Sequence, residues 1–491
     1  MRLDRTLDPG SEVSDRGGVT DVCRFDRQAA TTIRAWYHSA TSMRTRGDFS
    51  VVALALLTCG NSLATFWAGA LPAGVVLTAA AAICIGLALR AAPGAPGPQV
   101  IAGAVGISAL SLIDHPLAPT LTVVVLVLGI AGVLAREFRL GVVLVVAATT
   151  IVVAAEVMRL HWGQLAFDVF REMQVATGAL AHGMNPYGPT VQVLIPVSDH
   201  GAYLTPEHFG YGPGILLLGL PGRLIGDVRL SQAAIWIAIA LVIAFVARRQ
   251  PLSVAVGSIA LVLLSPFGVD LAEHAFNDAT GALCLLLWFL GRQRHPRWAR
   301  LALGVALTTK PTILAALLVM LVWSRAARRD VWWGLGIAAG IVLPFALWDG
   351  VGNFLHSTLE LWLGPVFLVN RPDAITIGAL IHTYGLPYLP SIVIGTATLL
   401  AAVLILRHRP RDSVDLLLGG AVLTIAYLLL GHIAFLNYYS AAAVLLMAAI
   451  AIDGNRRFVA DDDISLPRGR HSRPAPVSRP RVPLTVGSPL D

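Results

Sequence analysis

The sequence predicts an all-α fold, a polytopic transmembrane helical bundle of about 12 to 14 spans. Two observations predict it: the composition of the chain and the spacing of its apolar runs. Of the 491 residues, 56% are hydrophobic and 13% are charged, and the mean hydropathy is +0.71. Soluble domains carry about a quarter charged residues, so a soluble fold could not bury this much apolar surface.

Apolar runs of nearly the length that crosses a hydrocarbon core of about 30 Å recur between Val51 and Asp453. Each run predicts one membrane-spanning helix. Two shorter runs, at 299–309 and 312–324, flank Lys310-Pro311 and predict a further hairpin. The predicted spans are 51–70, 73–90, 100–115, 117–135, 140–156, 230–247, 251–267, 278–291, 331–348, 389–406, 413–431 and 433–452.

The arginines predict the orientation, because cytoplasmic connections collect arginine and lysine. Three arginine groups fall in alternate connections, which predicts that both termini are cytoplasmic and that the loop 157–210 is extracytoplasmic. This topology requires the apolar stretch 214–225 to return to the outer side without crossing. The groups are Arg292 with Arg294, Arg297 and Arg300, Arg325 with Arg328 and Arg329, and Arg407 with Arg409 and Arg411.

The chain divides by composition into a cytoplasmic tail at 1–50, transmembrane hairpins at 51–139, a transmembrane core at 140–453 and a second cytoplasmic tail at 454–491. The tails are predicted to be disordered. Topology and attraction to anionic membrane lipids explain the net charge of +7 without a nucleic-acid partner. The four cysteines match no disulfide or zinc spacing, and no nucleotide-binding or hydrolase motif is found.

The outer loop 157–210 points to function, because loops of this length are usually functional or disordered. Its composition favours order. Apolar residues recur at helical spacing from Ala166 to Leu180, while Asp168, Arg171 and Glu172 occupy the opposite face, turned toward water or a cavity. Gly183 and the turn at 185–189 are predicted to end this amphipathic helix.

A series of short motifs, in a defined order, resembles a known family. The order is similar to that of the GT-C membrane glycosyltransferases, and most similar to bacterial mannosyltransferases of the glycosyltransferase family 87 type, which use polyprenyl-phosphate mannose. The resemblance covers roughly residues 140–450. The motifs are Asp168, Gly183-Met184-Asn185-Pro186-Tyr187, Tyr211-Gly212-Pro213, Phe276-Asn277-Asp278 and Leu307-Thr308-Thr309-Lys310-Pro311-Thr312.

Two features depart from the family pattern. Gly212-Pro213 stands where the family usually has a double proline after tyrosine, which puts in doubt how the chain enters the membrane there. The four spans predicted at 51–139 precede the core where many relatives have one, which indicates an added N-terminal helical module.

The resemblance implies a reaction at the outer face of the membrane. A polyprenyl-phosphate donor presents the anomeric carbon of its sugar. The sugar is mannose in the family, and arabinose or another polyprenyl-linked sugar is the alternative. A hydroxyl of a glycan or lipid acceptor attacks with inversion, and polyprenyl phosphate leaves. Such a site needs a carboxylate for the hydroxyl proton, cations for the phosphate and an apolar groove for the lipid. No cofactor is implied, although outer histidines beside acidic residues leave a divalent cation open.

For the carboxylate, the resemblance implies Asp168, and Glu172 one turn on is the second choice. The alternative is that both only solvate an interfacial helix. For the donor phosphate we expect Lys310, Arg171 and His208. Lys310 is the only lysine among 36 basic residues, and a charge in such apolar sequence costs about 2.5 to 3.5 kcal/mol at a helix centre. The alternative for Lys310 is that it snorkels from a hairpin tip to the surface.

Five further residues are predicted to contact the substrate: Asn185, Tyr187, Tyr211, Asn277 and Asp278. Each has a structural alternative. Asn185 and Tyr187 can serve as loop architecture, Tyr211 can belong to an interfacial aromatic belt, and Asn277 or Asp278 can cap the next helix.

The alternative function is a polytopic secondary transporter or a lipid-glycan flippase. A transporter should place ionisable residues or Gly/Pro breaks at matched positions of two repeats. The sequence shows no such repeat, and most acidic residues between the two tails fall in the predicted outer loops.

Overall fold

The computed structural model describes residues 45–67, 69–112, 119–162, 168–197, 201–275, 277–360, 374–408, 410–431 and 433–453. The predicted tails therefore lie almost entirely outside the described residues. The helices are α1 Arg46–Phe66, α2 Leu71–Ala88, α3 Pro98–Leu110, α4 Pro119–Leu134, α5 Phe138–Trp162, α6 Asp168–Ala181, α7 Pro213–Ile225, α8 Arg229–Ala247, α9 Leu252–Leu263, α10 Pro266–His274, α11 Asp278–Gly291, α12 Pro296–Leu307, α13 Leu314–Trp323, α14 Arg325–Asp349, α15 Val351–Leu355, α16 Ile377–Thr383, α17 Ser391–Leu406, α18 Ser413–Leu430 and α19 Ser440–Ile452.

The predicted all-α bundle is confirmed, because a helix occupies every span predicted from the sequence. Within the described residues, five helices are long and apolar enough to cross a membrane by themselves. The other apolar helices have 10–17 residues, so several of them are shorter than a hydrocarbon core of about 30 Å requires. The five are Arg46–Thr65, Leu71–Ala88, Arg229–Ala247, Ala327–Asp349 and Ser413–Leu430.

The loop after α5 differs from the prediction, which placed amphipathic helices in it and no strands. Helix α5 runs on to Trp162, and among the described residues from 168 to 210 only α6 is helical. An antiparallel hairpin follows, formed by β1 (Thr190–Val197) and β2 (Gly201–His208), with Thr190 paired to His208 and Val197 to Gly201. The reason is local, since valine and isoleucine recur at every second position of β1 and favour a strand over a helix.

The predicted hairpin around Lys310 is present as a broken pair of helices. The 12 residues of α12 extend about 18 Å, so the chain turns back before crossing a full hydrocarbon core. A single turn of 3₁₀-helix, Pro311–Ile313, leads from this tip into α13. The tip Thr308–Ile313, which carries Lys310, therefore lies inside the bundle.

A buried arginine joins the first helix to the last two. The guanidinium of Arg46, with no exposed side-chain surface, donates hydrogen bonds to three carboxylates: to both oxygens of Asp412 at 2.8 Å, to Asp415 at 2.9 Å and to Asp453 at 2.7 and 3.2 Å. These residues begin α18 and end α19, and Asp412 also caps α18 through its side chain. Gln250, after α8, donates to the backbone oxygen of Asp453 at 2.7 Å. We call this the Arg46 end of the bundle.

The Arg46 cluster predicts a large stability effect. Removing one partner of a buried charge network leaves the others uncompensated, which typically costs about 3 to 5 kcal/mol. We expect Arg46→Gln to lower the free energy of unfolding by about this amount, measured by denaturant titration of the purified protein in detergent. Arg229→Gln is the matched control, because the Arg229–Asp227 pair is partly exposed and such pairs contribute about 1 kcal/mol or less. Equal losses in the two variants would contradict a special role for the cluster.

Candidate active site

The tip of the broken hairpin is held by the chain that enters α7. The last carbonyls of a helix lack intrahelical partners, and inside a membrane no water replaces them. Here the backbone N–H of Gly212 donates to the oxygen of Thr309 at 3.3 Å, and that of Gly214 donates to the oxygen of Thr308 at 3.1 Å. The hydroxyls of Thr308 and Thr309 donate to Val305 and Ala306 at 2.8 and 2.6 Å. The helix break is thus satisfied internally.

This contact explains why glycine stands after Tyr211. A Cβ added at Gly212 would lie 2.1 Å from the backbone oxygen of Thr308, and one at Gly214 would lie 2.3 Å from the Thr308 hydroxyl. A side chain at either position would separate the two backbones. The departure from the family's double proline therefore has a steric reason in this chain.

Lys310 forms the centre of a buried charged cluster. Its ammonium lies 2.9 Å from Oδ2 of Asp278, and the two side chains are 1% and 0% exposed. The side-chain amide of Asn437 donates to the same oxygen at 2.7 Å. The snorkelling alternative for Lys310 is therefore wrong: the ammonium turns inward, where a carboxylate compensates its charge.

Two tyrosine rings cover the ammonium of Lys310. The ring centroid of Tyr211 lies 4.7 Å from Nζ, and that of Tyr438 lies 5.0 Å away. Both distances are within the range of cation–π attraction, which strengthens when the cation is desolvated. Tyr211 is buried, so it does not belong to an interfacial belt. We call Asp278, Lys310, Asn437 and the two tyrosines the Lys310 cluster.

Asn277 connects the cluster to α6. It occupies the N-cap position of α11, but its side chain makes no capping hydrogen bond, so the capping alternative is wrong for Asn277. Its amide nitrogen instead lies 3.7 Å from the sulfur of Met173 on α6. Its amide oxygen and Oδ1 of Asp278 are buried and have no hydrogen-bond partner among the described residues. Phe276, the first residue of this motif, lies outside the described residues.

Helix α6 begins at Asp168 and ends at Ala181, after which Gly183 adopts a φ of +68°, as expected for the glycine that ends a helix. The Asp168 side chain lies outside the described part of the structure. Glu172 is buried and Arg171 is exposed. Placing Glu172 on the face opposite the apolar residues was wrong, because it lies three residues after Val169 and four before Ala176 and so shares their buried face.

Asn185, Tyr187 and His208 form a second group, joined to the Lys310 cluster through Tyr211. Tyr187 is buried, and its hydroxyl donates to the backbone oxygen of Tyr211 at 3.1 Å. Asn185 accepts from the N–H of Tyr187 at 3.0 Å and donates to Asp349 at the end of α14. Nδ1 of the exposed His208 lies 3.1 Å from the backbone oxygen of Tyr187.

The Tyr187 ring packs edge-on against three phenylalanines, with centroid distances of 5.7 Å to Phe209, 6.3 Å to Phe345 and 4.9 Å to Phe354. Burial raises the pKa of Tyr187, and the nearby carboxylate of Asp349 raises it further. The hydroxyl therefore stays protonated and keeps donating to Tyr211. These contacts make Asn185 and Tyr187 part of the architecture that fixes Tyr211 over Lys310.

Sequence reasoning missed Asn437 and Tyr438, which complete the Lys310 cluster, and Met173, which contacts Asn277. A signal was present for the first two, since Asn437 and Tyr438 interrupt the apolar run predicted as a span at 433–452. Met173 is one of the apolar residues that recur at helical spacing in α6, and this pattern gives no signal of a site. Among the described residues, no three His, Cys, Asp or Glu side chains lie close enough together to hold a metal ion.

Comparison with known proteins confirms the family resemblance. The family described as glycosyltransferase family 87 matches residues 209–431. The matched region contains Tyr211, Asn277, Asp278 and Lys310, whereas α6 precedes it and Asn437 follows it. No curated protein and no solved structure shows significant similarity to the chain.

The glycine contact predicts a steric effect. Gly212→Ala must push the α12 tip away from α7, and overpacking of this kind typically costs about 1 to 3 kcal/mol. We expect a lower thermal unfolding temperature. Gly336→Ala is the matched control, because a Cβ at Gly336 meets nothing within 4 Å and alanine favours a helix. An unfolding temperature of Gly212→Ala equal to that of the wild type would show that the tip is not tightly held.

Proposed function

We propose that this membrane glycosyltransferase, whose residues 209–431 match glycosyltransferase family 87, transfers a sugar from a polyprenyl-phosphate donor to an extracytoplasmic glycan or glycolipid. Mannose is the sugar that the family resemblance favours. One observation carries the proposal: residues from four separate segments, Tyr211, Asp278, Lys310 and Asn437, meet in one buried charged cluster. A buried lysine among membrane-type helices is a functional candidate by default, because its charge is costly there.

The proposed reaction is a single inverting displacement. The acceptor hydroxyl oxygen forms a bond to the anomeric carbon while the bond from that carbon to the phosphate oxygen breaks. The hydroxyl proton passes to Asp168, and the electron pair of the broken bond stays on the polyprenyl phosphate. Glu172, buried one helical turn after Asp168, is the second candidate for the base.

In this proposal, cationic side chains bind the phosphate and side-chain oxygens bind the sugar. Lys310 compensates the phosphate charge, and the tyrosine rings exclude water around its ammonium, which strengthens its electrostatic effect. We assign Arg171 and His208, whose side chains are exposed, to the first contact with the donor phosphate. Asn277 and Asp278 each offer a buried oxygen that a sugar hydroxyl can satisfy. Asn185, Tyr187 and Tyr211 shape this pocket.

The reaction requires a defined topology in the cell membrane. We propose that both termini are cytoplasmic and that α6, the hairpin and the Lys310 cluster face the extracytoplasmic side. Arginine groups after α11, at the start of α14 and after α17 support this orientation, since such residues favour the cytoplasm. The Arg46 end would then be the cytoplasmic end.

The topology predicts accessibility. In a cysteine-free background, a cysteine at position 200 should react with a membrane-impermeant reagent added to intact cells. Gln293→Cys, in the connection between α11 and α12, is the control and should react only after the cells are permeabilised. The reverse pattern would refute the orientation and, with it, the proposed reaction.

The base assignment predicts a rate effect. A positioned base contributes about 10²- to 10⁴-fold to rate, so Asp168→Asn should lower turnover by that factor while protein level and donor binding stay unchanged. Membranes supplied with a labelled polyprenyl-phosphate sugar provide the measurement, and uptake of label without glycosyl transfer would indicate a transporter instead.

Glu172→Gln is the control one turn away, and it should cost much less if Asp168 alone is the base. Loss of turnover in Glu172→Gln with an active Asp168→Asn would move the base to Glu172. If both variants stay active, neither residue is the base and Asp278 is the next to test.

A further inference from the structure

The pairing of Lys310 raises a question that the proposed function leaves open. Its ammonium already has a counter-ion, because Oδ2 of Asp278 lies 2.9 Å away in a region with almost no exposed surface. A donor phosphate that used Lys310 would meet a site whose charge is already balanced. Either the phosphate binds elsewhere, or it displaces the Asp278 carboxylate from Lys310.

The contacts of Asp278 favour exchange. Asn437 donates to Asp278 at 2.7 Å independently of Lys310, so the carboxylate keeps one hydrogen bond if the lysine turns away. Oδ1 of Asp278 has no hydrogen-bond partner among the described residues. The carboxylate therefore has a spare acceptor position that a substrate hydroxyl can occupy.

The residues around Lys310 also favour exchange of its counter-ion. Tyr211 and Tyr438 hold the ammonium through their ring faces, and neither contact needs the carboxylate. A lone buried ammonium is strongly destabilising, so an empty site requires an anion beside it. Carboxylate and phosphate oxygens both form charge-assisted hydrogen bonds with an ammonium, at similar distances.

Resting on the proposed function, we propose that Asp278 is the exchangeable counter-ion of Lys310, standing in the empty site where an oxygen of a polyprenyl phosphate binds. The donor phosphate displaces the carboxylate, and Asn437 retains it nearby. Asn437 is thus a positioning residue, because it acts through Asp278. After transfer, the leaving phosphate has lost an ester bond and gained negative charge, so repulsion from the adjacent carboxylate assists its release.

The exchange makes a counterintuitive prediction: removing the competing carboxylate should tighten the binding of the product. In the wild type, the Asp278 carboxylate competes with the phosphate for a charge-assisted hydrogen bond from Lys310. Removing this competitor should change the affinity for the phosphate by about tenfold or more. We expect Asp278→Asn to bind a short-chain polyprenyl phosphate about tenfold more tightly than the wild type, and Lys310→Met to bind it at least tenfold more weakly. The dissociation constants are measured on the full-length protein in lipid nanodiscs.

Two controls make the comparison specific. The corresponding polyprenol, which lacks the phosphate, should bind all variants equally. Asp330→Asn removes another buried carboxylate, paired with Arg300 at 2.8 Å near the start of α14, and should leave phosphate binding unchanged. Unchanged or weaker binding by folded Asp278→Asn would overturn the proposal and make the ion pair a purely structural contact.

Poor folding of Asp278→Asn would also be informative, because the buried ammonium of Lys310 has then lost the carboxylate beside it. The proposal then requires polyprenyl phosphate, added during solubilisation, to restore its thermal unfolding temperature, and failure of this rescue would overturn it. The double variant Asp278→Asn/Lys310→Met, which buries no charge here, should fold without the lipid and not bind it.

A transfer assay separates the two proposals. If wild-type membranes transfer no sugar but the affinities follow the predicted order, the proposed function fails and the counter-ion exchange stands. If transfer occurs and Asp278→Asn does not bind the product more tightly, the exchange fails and the proposed function stands.

Discussion

Lys310 carries the one charge in the sequence between Arg300 and Arg325, and its ammonium lies inside a bundle of apolar helices. Such a charge is tolerated only where partners compensate it. The carboxylate at the start of α11, the amide before α19 and the tyrosine before α7 meet that requirement. The convergence of these three helix ends is therefore a consequence of one buried ammonium as much as of apolar packing.

The break that carries Lys310 creates a second requirement, which the backbone meets. Helix α12 stops inside the bundle, and its terminal carbonyls need donors where water is absent. Threonine hydroxyls from the tip itself and N–H groups of Gly212 and Gly214 supply them. Close approach of the two backbones is possible only because glycine has no Cβ. The same approach brings Tyr211 over Lys310, so the glycines contribute to the site without touching any ligand.

The last helix links the Lys310 cluster to the opposite end of the bundle. Asn437 and Tyr438 lie just before α19, and Asp453 lies just after it. Every residue of α19 is buried, and Asp453 is fixed by Arg46. The N-terminal helices thus support the side of the site that Asn437 provides, because α1 packs against α19 and α2 against α18. This gives a structural reason for helices that precede the family-matched region.

The charged groups at the two ends of the bundle have different roles in the proposed function. At the Arg46 end, a guanidinium matches three carboxylates in bidentate and single contacts, which suits a permanent closure. In the Lys310 cluster, one ammonium faces one carboxylate oxygen, and the other oxygen has no partner among the described residues. Every nitrogen of the Arg46 guanidinium thus donates to a carboxylate, whereas Asp278 has one oxygen that a ligand could still use as an acceptor.

Apolar periodicity and length by themselves determined the helical bundle, the broken hairpin around Lys310 and the end of α6 at Gly183, because these features depend on neighbours in sequence. The family motifs also identified Tyr211, Asn277, Asp278 and Lys310 as a set. Only the tertiary structure decided that Lys310 pairs with Asp278, that Glu172 is buried and that Asn437 completes the cluster. The physical reason is distance along the sequence. Asp278 and Asn437 are 159 residues apart, and no local sequence pattern predicts which helix ends will contact a buried charge.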